Sequence, residues 1–234
     1  MTCHIKTILC QLPLLLFAIN FSCSEKKGTT EDSVIFQDDF TSALDPDLWI
    51  IEMDDQPNSS VSLQEGKLVL DTKGGVTVWL NRELEGDFEI TYDRKVVVED
   101  GPNDRLSDLN QFWLANDPNN QNLFTRSGVF EEYDDLEMYY VGFGGNYNSS
   151  TRFRKYRGEG EKPVLQEYDE APYLLEANKT YRIKTVREGG KVSFWVDDRL
   201  FFEYEDPDPI ASGFFGFRST WSRHEIDNIK ITRL

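Results

Sequence analysis

From residue 34 onward the chain is a succession of short segments rich in β-branched and aromatic residues, separated by Gly, Asn, Asp and Pro. Such segments are typical of β-strands bounded by turns. No window of about 12 residues keeps the apolar spacing of a helix. The sequence therefore predicts an all-β protein, with strands at Val34 to Phe40, Trp49 to Met53, Val61 to Leu63, Lys67 to Thr72, Thr77 to Asn81, Phe88 to Val98, Asn110 to Ala115, Leu136 to Phe143, Thr151 to Tyr156, Thr180 to Arg187, Lys191 to Asp197, Leu200 to Tyr204, Phe214 to Arg218 and His224 to Thr232.

Turn residues and alternation indicate how these strands are arranged. Short links at 65–66, 188–190 and 197–199 predict tight hairpins, and the last two join three strands into an antiparallel meander. No repeat of 20 to 50 residues is found, which argues against a propeller or solenoid. We expect one antiparallel β-sandwich domain over residues 34–234, of the jelly-roll type. The stretch Gly158 to Glu176 is expected to be its longest loop and a rim over a binding face.

The N-terminus predicts export. All three cysteines lie in the first 23 residues, and the apolar run Leu12 to Ile19, preceded by Lys6, is too short for a membrane-spanning helix, which needs about 20 residues. The segment ending at Cys23 resembles the lipobox of bacterial lipoproteins. We expect a signal peptide over 1–22, a lipidated Cys23 with a polar tether to residue 33, and an outer-membrane lipoprotein, facing the periplasm or the cell surface. The alternative is an ordinary secretory peptide cleaved nearby.

Cleavage before Cys23 excludes several kinds of chemistry. The remaining 212 residues contain one cysteine, already lipidated, and one histidine, His224. Disulfides, cysteine nucleophiles and metal sites with two histidines are therefore not expected. The net charge of −17 becomes −18 when Lys6 is lost, which excludes nucleic acid as a partner. No cofactor or metal is predicted; calcium stays possible, although no loop has a dedicated calcium pattern.

Several stretches resemble one bacterial family. They are Asn103 to Trp113, Tyr139 to Gly142 with Gly144 to Asn146, Thr151 to Arg154, and Phe215 to Arg218 with Ile226 to Asn228. Over about residues 34–234 the chain resembles the family named domain of unknown function 6250. The resemblance implies a concanavalin-like sandwich encoded among polysaccharide-degrading systems, and hence a sugar ligand, but no assigned reaction.

A cluster of cations marks the middle of this acidic chain. Arg152, Arg154, Lys155 and Arg157 lie within six residues, and strand alternation puts Arg152 and Arg154 on one face. Guanidinium groups bind carboxylates or sulfates in a bidentate fork, and nearby tyrosines such as Tyr147 suit the apolar face of a pyranose. We expect an acidic, uronate-type saccharide as the ligand. Alternatively, these cations form surface ion pairs with neighbouring glutamates.

Two enzymatic interpretations follow. A uronate lyase must neutralise the sugar carboxylate and move a proton. Arg152, Arg154, Asn110 or Gln111 are candidates for the first task, and Tyr139 or His224 for the second. His224 is alternatively an unremarkable strand-edge residue.

A hydrolase needs two carboxylates instead. The run from Glu132 to Glu137 is similar to the E-x-D-x-x-E strand of sandwich endoglucanases, which implies Glu132 as nucleophile, Asp134 as its modulator and Glu137 as acid/base. Tyr133 and Asp135 depart from that pattern, and an acidic loop entering a strand is the alternative.

Residues 103–108 form a third cluster. Asp104 and Asp108 are candidates for a carboxylate pair or cation ligands, or alternatively for turn caps. The candidate catalytic residues are Tyr139, His224, Asp104 and the alternative pair Glu132 and Glu137. The candidate substrate-binding residues are Asn103, Arg105, Asn110, Gln111, Trp113, Tyr147, Arg152, Arg154, Arg218 and Trp221.

The sequence therefore predicts a lipoprotein that acts on an acidic oligosaccharide as hydrolase or lyase, with the membrane contacted only through its lipid. A non-catalytic carbohydrate-binding module at the cell surface is the alternative.

Overall fold

The computed structural model of the protein describes residues 1–2 and 33–234. The expected signal peptide and lipidation site, Cys23, lie outside the described residues. The described residues 33–234 belong to one compact unit. Its strands are β1 (Val34–Asp38), β2 (Trp49–Met53), β3 (Ser60–Gln64), β4 (Lys67–Glu85), β5 (Phe88–Val97), β6 (Leu109–Asn116), β7 (Glu137–Gly144), β8 (Ser150–Arg157), β9 (Val164–Tyr168), β10 (Thr180–Glu188), β11 (Lys191–Val196), β12 (Arg199–Glu205) and β13 (Ser212–Arg233).

All strand pairings are antiparallel, and the predicted all-β sandwich is confirmed. Two pairs of predicted strands are each one long strand, β4 and β13. Three short helical segments, Phe130–Tyr133, Gly145–Asn148 and Ala171–Tyr173, complete the described elements. The described part of the chain contains no helix with the length and hydropathy needed to span a lipid bilayer.

One predicted loop is wrong. Residues 158–176 contain β9, which pairs along β8 with Arg152 opposite Glu167. The strand lies at the edge of its sheet and is only partly buried, so its sequence carries no apolar alternation to reveal it.

The sandwich consists of two sheets joined by their longest strands. The first sheet contains β12, β11, β10, β5 and the C-terminal half of β13; the second contains β9, β8, β7, β6 and the N-terminal half of β13. β4 pairs with β13 along both halves. The pairing register shifts between Thr220 and Ser222, and Trp221 there has a φ of 45°. This bulge is where β13 passes from one sheet to the other.

The core lies between the sheets. The ring centroids of Tyr92 and Phe217 are 5.0 Å apart, and those of Phe153 and Phe202 are 5.8 Å apart, each pair joining the two sheets. A second apolar cluster covers the outer face of the second sheet and includes Phe112 and Tyr140. Tyr133 and Leu123, from the segment between β6 and β7, pack onto it. The second sheet is therefore buried on both faces along part of its length.

Candidate functional site

A cleft of about 300 Å³ opens on the outer face of the second sheet, beside this second cluster. Four neighbouring strands form its floor, and loop residues form its walls. The floor residues are Asn110, Tyr140, Gly142, Arg152, Arg154, Tyr156, Arg218 and Thr220, and the wall residues are Arg105, Ser107, Asp108, Phe130, Gly145, Asn146, Tyr147 and Lys162.

Strand register determines which side chains reach the cleft. Tyr140 lies opposite Arg154, and Gly142 lies opposite Arg152. Directly paired residues share a face of the sheet, so these four positions face the cleft together. A Cβ atom on Gly142 would lie 2.8 Å from the Asp108 carboxylate and 2.5 Å from the Tyr140 hydroxyl. Glycine at this position therefore leaves the space in which these two groups meet.

Three guanidinium groups of the cleft are held by backbone carbonyls. Arg105 donates to the carbonyl oxygens of Trp221 at 2.7 Å and Thr220 at 2.5 Å. Arg154 donates to the Lys162 carbonyl at 2.6 Å, and Arg218 lies 3.4 Å from the Gly128 carbonyl. Within residues 33–234 none of these arginines forms an ion pair with a carboxylate. Their positive charges are therefore not engaged in an ion pair with any described carboxylate.

The other two cations of the cleft have carboxylate partners. Arg152 Nε lies 2.6 Å from Glu167 on β9, and Lys162 pairs with Asp134. The Arg152 pair is about one-third exposed, so solvent screens it and its contribution to stability is small.

Two buried donors of the cleft lack partners. Arg218 is 3 % exposed and lies beneath the ring of Phe130, 4.2 Å from its centroid. Its Nε and the hydroxyl of Tyr156 have no hydrogen-bond partner among the described residues. Burial lowers the pKa of Arg218 from its ordinary value. Because buried polar groups are almost always hydrogen-bonded, these donors favour an oxyanion as the occupant of the cleft.

Asp108 is the one carboxylate among the described lining residues. It accepts hydrogen bonds from Ser107 Oγ at 3.2 Å and from the Asn110 amide, and the Tyr140 hydroxyl lies 3.5 Å away. Burial and the charge of Asp108 raise the pKa of Tyr140 well above its ordinary value. Tyr140 is therefore a protonated phenol at neutral pH, pointed at a carboxylate.

Aromatic side chains form one rim of the cleft. Tyr147 is 66 % exposed and Trp221 is 36 % exposed, and their rings meet edge to face at 6.5 Å. The Arg105 guanidinium carbon lies 4.7 Å from the Tyr147 ring centroid and 5.1 Å from that of Trp221. Lys73 Nζ lies 3.5 Å from the Trp221 centroid. The rim therefore combines exposed rings with cations.

The structure brings together six of the predicted substrate-binding residues in this cleft, with a seventh, Trp221, at its rim. The six are Arg105, Asn110, Tyr147, Arg152, Arg154 and Arg218. Sequence reasoning did not single out Tyr140 or Phe130 for the site and considered Asp108 only beside Asp104. If the pairing register of β7 and β8 had been known, the position of Arg154 would have placed Tyr140 on the same face of the sheet.

Three predicted residues face the core instead. Tyr139 is fully buried and donates to Asp206 at 2.5 Å. Burial and this hydrogen bond raise its pKa above the ordinary value. Trp113 stacks on Tyr139 with centroids 5.5 Å apart, and Gln111 bonds Tyr92 and Thr185 between the sheets. Because successive strand residues point to opposite faces, Asn110 and Tyr140 occupy the cleft and these neighbours cannot.

His224 is also a structural residue. It is fully buried, with Nε2 2.9 Å from Ser222 Oγ. Burial, helped by the charge of Arg94, lowers its pKa well below the ordinary value. A group without access to the cleft cannot exchange a proton with a ligand there.

Two predicted site residues, Asn103 and Asp104, stabilise the loop before β6. The Asn103 amide donates to the Asn58 carbonyl at 2.7 Å and to Asp71 at 2.8 Å. Asp104 accepts from the backbone of Gly101 and pairs with Arg223 at 3.0 Å. Both side chains stabilise the loop and do not line the cleft.

Residues 132–137 match the alternative interpretation, an acidic loop entering a strand, and not an E-x-D-x-x-E strand. Residues Phe130–Tyr133 form a 3₁₀ helix, and β7 begins only at Glu137. Glu132 accepts from the backbone N–H of Ser127 at 2.7 Å and from its hydroxyl at 2.9 Å. Neither Glu132 nor Glu137 lines the cleft. The acidic residues next to Tyr133 lie in a helical turn, and the Tyr133 ring packs into the second apolar cluster.

The described residues contain no group of three or more His, Cys, Asp or Glu side chains placed to hold a metal ion.

Solved structures with this fold come from several proteins. A protein of unknown function with a galectin-like fold from Bacillus subtilis superposes with a TM-score of 0.68 at 15% identity, covering 86% of this chain and 96% of that one. The carbohydrate binding module CBM66 from Bacillus subtilis gives 0.54 at 17% identity, covering 79% and 94%. The β-glucanase of Bacillus licheniformis gives 0.56 at 11% identity, covering 85% and 97%. These similarities establish the fold.

Sequence comparison establishes the family. No curated protein is significantly similar to the chain. The sequence model described as a domain of unknown function (DUF6250) matches residues 70–229, which is more than half of the chain. The protein therefore belongs to the DUF6250 family.

Proposed function

We propose that the cleft binds an anionic saccharide, carrying uronate or sulfate groups. The observation that carries this proposal is the set of three arginines, Arg105, Arg154 and Arg218, that are held by carbonyls and have no carboxylate partner among the described residues. They face a cleft in which Asp108 is the one carboxylate among the lining residues that the structure describes, in a chain whose net charge is −17. Cations left without partners on so acidic a protein favour an anionic ligand.

A saccharide suits the remaining lining better than a small inorganic anion. The cleft volume of about 300 Å³ lies at the lower end of the range for ligand sites, about 300–1,000 Å³. Polar groups such as Asn110 offer hydrogen bonds to hydroxyls, and the exposed ring of Tyr147 offers an apolar surface. A carbohydrate-binding module and a β-glucanase share the fold, which supports the choice of a sugar.

Affinity electrophoresis tests this proposal. We expect the protein to be retarded by at least one of polygalacturonate, alginate and carrageenan, and not by the neutral glucan laminarin. Retardation should weaken as salt rises, because screening acts on exposed charges.

A matched pair of variants locates the binding surface. Arg152→Ala with Arg154→Ala should abolish retardation. Arg182→Ala with Lys184→Ala, which removes two cations from the first sheet, should leave it unchanged. Retardation by laminarin, or full retardation of the Arg152/Arg154 double variant, would contradict the proposal.

A phenol beside a carboxylate in the cleft supports a second candidate, β-elimination from a uronate. The relevant observation is the Tyr140 phenol beside the Asp108 carboxylate, close to Arg154 and Arg218. The guanidinium groups would neutralise the sugar carboxylate, Asp108 would accept the α-proton, and Tyr140 would protonate the leaving oxygen as the C–O bond breaks. Two-carboxylate hydrolysis has less support, because only Asp108 lines the described cleft.

Product analysis distinguishes these reactions from binding alone. A lyase creates an unsaturated product that absorbs ultraviolet light, whereas a hydrolase releases reducing ends without that absorbance. For a lyase, Tyr140→Phe should abolish the absorbance and retain electrophoretic retardation. Retardation with neither product identifies a non-catalytic binding module.

For the N-terminus we propose export and lipidation at Cys23. This rests on the sequence pattern of residues 1–23. Radiolabelled fatty acid should be incorporated by the wild type and not by Cys23→Ser. The variant should also leave the membrane fraction. Labelling of Cys23→Ser would contradict the assignment.

A further inference from the structure

The segment that joins β7 to β8 has an unusual backbone. Asn146, Tyr147 and Asn148 have φ values of 50°, 60° and 58°, so three successive residues are left-handed. Asparagine tolerates this conformation, but a bulky residue such as tyrosine rarely adopts it. Gly144 precedes them with a φ of 80°, and a Cβ there would lie 2.3 Å from Leu175. We call residues 144–148 the left-handed turn.

Hydrogen bonds from the residues on either side of Tyr147 hold the left-handed turn in place. The Asn148 amide donates to the Leu175 carbonyl at 2.9 Å and its oxygen accepts from the Leu175 N–H at 2.7 Å. With its amide oxygen turned toward Arg152, Asn146 accepts from Nη1 and Nη2 at 2.8 and 3.1 Å. The left-handed turn is therefore tied directly to a cation of the cleft.

The result is an exposed ring in a fixed position. Tyr147 contributes nothing to the core, being 66 % exposed, yet its two neighbours are anchored. Arg105, itself bonded to two carbonyls, packs 4.7 Å from the ring centroid and the edge of Trp221 meets it at 6.5 Å. Backbone strain that places an apolar surface in water indicates a binding role, because folding alone gains nothing from it.

We propose that the left-handed turn presents Tyr147 as a stacking platform for the sugar unit next to the one whose acidic group the arginines bind. This rests on the proposed function and makes the ligand an oligosaccharide of at least two units. Its acidic group lies at Arg154 and Arg218, and the neighbouring pyranose lies with its C–H face on Tyr147. The cleft then has two subsites, one set by charge and one by an aromatic ring.

Calorimetry with short ligands tests the two subsites. The probes are galacturonate, mannuronate and guluronate monosaccharides and the trisaccharide of each. We expect at least one trisaccharide to bind more tightly than its monosaccharide. Tyr147→Ala should weaken that trisaccharide about tenfold, equivalent to about 1.4 kcal/mol, and leave monosaccharide affinity unchanged. Tyr147→Phe should bind like the wild type, since it keeps the ring.

Trp195→Ala is the matched control, because Trp195 is also an aromatic ring packed against a lysine but lies on the first sheet. It should bind every probe like the wild type. Trisaccharide binding that Tyr147→Ala leaves intact would overturn the stacking platform while the anionic site stands. If the wild type binds none of the six probes, both the uronate oligosaccharide ligand and the stacking platform are overturned. In that case, retardation by carrageenan in affinity electrophoresis would still support an anion-binding cleft.

Discussion

Two adjacent cations, on opposite faces of β8, are held in different ways. Lys155 points between the sheets, where it pairs with Asp206 at 2.9 Å and both side chains are almost completely buried. Arg154, the adjacent residue, points into the cleft and is held by a carbonyl oxygen. An interior charge must be neutralised because water cannot solvate it, whereas a cleft charge left without a carboxylate stays available to a ligand. The difference separates a structural cation from a binding cation within one strand.

Removing the structural cation should have the largest effect. Lys155→Ala leaves the buried Asp206 carboxylate without its cationic partner, so the free energy of unfolding should fall by about 3–5 kcal/mol. Arg154→Ala should cost about 1 kcal/mol, since it removes one hydrogen bond at a solvated site. Urea denaturation measures both. Equal losses for the two variants would remove the distinction between the faces.

Two adjacent tyrosines extend the comparison. Tyr139→Phe removes a hydrogen bond to the Asp206 carboxylate and should lower the free energy of unfolding by about 1.5–3 kcal/mol. Tyr140→Phe loses only a 3.5 Å contact in the cleft and should cost about 0.5 kcal/mol or less. Thermal and urea unfolding of both variants check this order, and a larger loss for Tyr140→Phe would contradict the assignment of the faces.

The pH dependence of stability tests whether the interior keeps His224 uncharged. Burial keeps the pKa of His224 well below its ordinary value in the folded state, whereas the unfolded state titrates near 6.5. Below about pH 6.5 the unfolded state therefore binds more protons than the folded state. As the pH is lowered further, the free energy of unfolding should fall by about 1.4 kcal/mol for each pH unit. His224→Gln should flatten this slope between about pH 5 and 6.5. An unchanged slope would show that His224 is not its source.

The exposed pair at the cleft should have the smallest effect on stability. Arg152→Ala breaks a partly exposed ion pair with Glu167, so the free energy of unfolding should change by about 1 kcal/mol or less. Denaturation midpoints of the variant and the wild type measure this change. A loss comparable to that of Lys155→Ala would mean that Arg152 is structural.

Segments rich in β-branched and aromatic residues, bounded by turn residues, predicted every strand except β9, and period-two alternation predicted the shared face of Arg152 and Arg154. Alternation could not assign the faces of β7, because Met138, Tyr139, Tyr140 and Val141 are all apolar or aromatic and both faces are covered. The choice between Tyr139 and Tyr140 depends on the pairing with β8, which is a long-range property.

The polar clusters were harder to interpret for a related reason. Residues 103–108 are rich in Asx side chains, which bind ligands and cap turns equally well. Only the folded loop shows that Asn103 and Asp104 hold the backbone while Asp108 faces the cleft. Likewise, spacing alone could not show that Glu132 lies in a 3₁₀ helix.

The two long strands that join the sheets, β4 and β13, also affect the order in which the domain can fold. β13 pairs with β4 from Ser212 opposite Glu85 to Ile226 opposite Leu68, so these partners are more than 100 residues apart in the chain. Such distant pairings close large loops and slow folding. Until the last strand arrives, β4, β5 and β6 expose unpaired edges that favour aggregation. The C-terminal strand, which also carries Arg218, therefore completes the fold and the cleft in the same step.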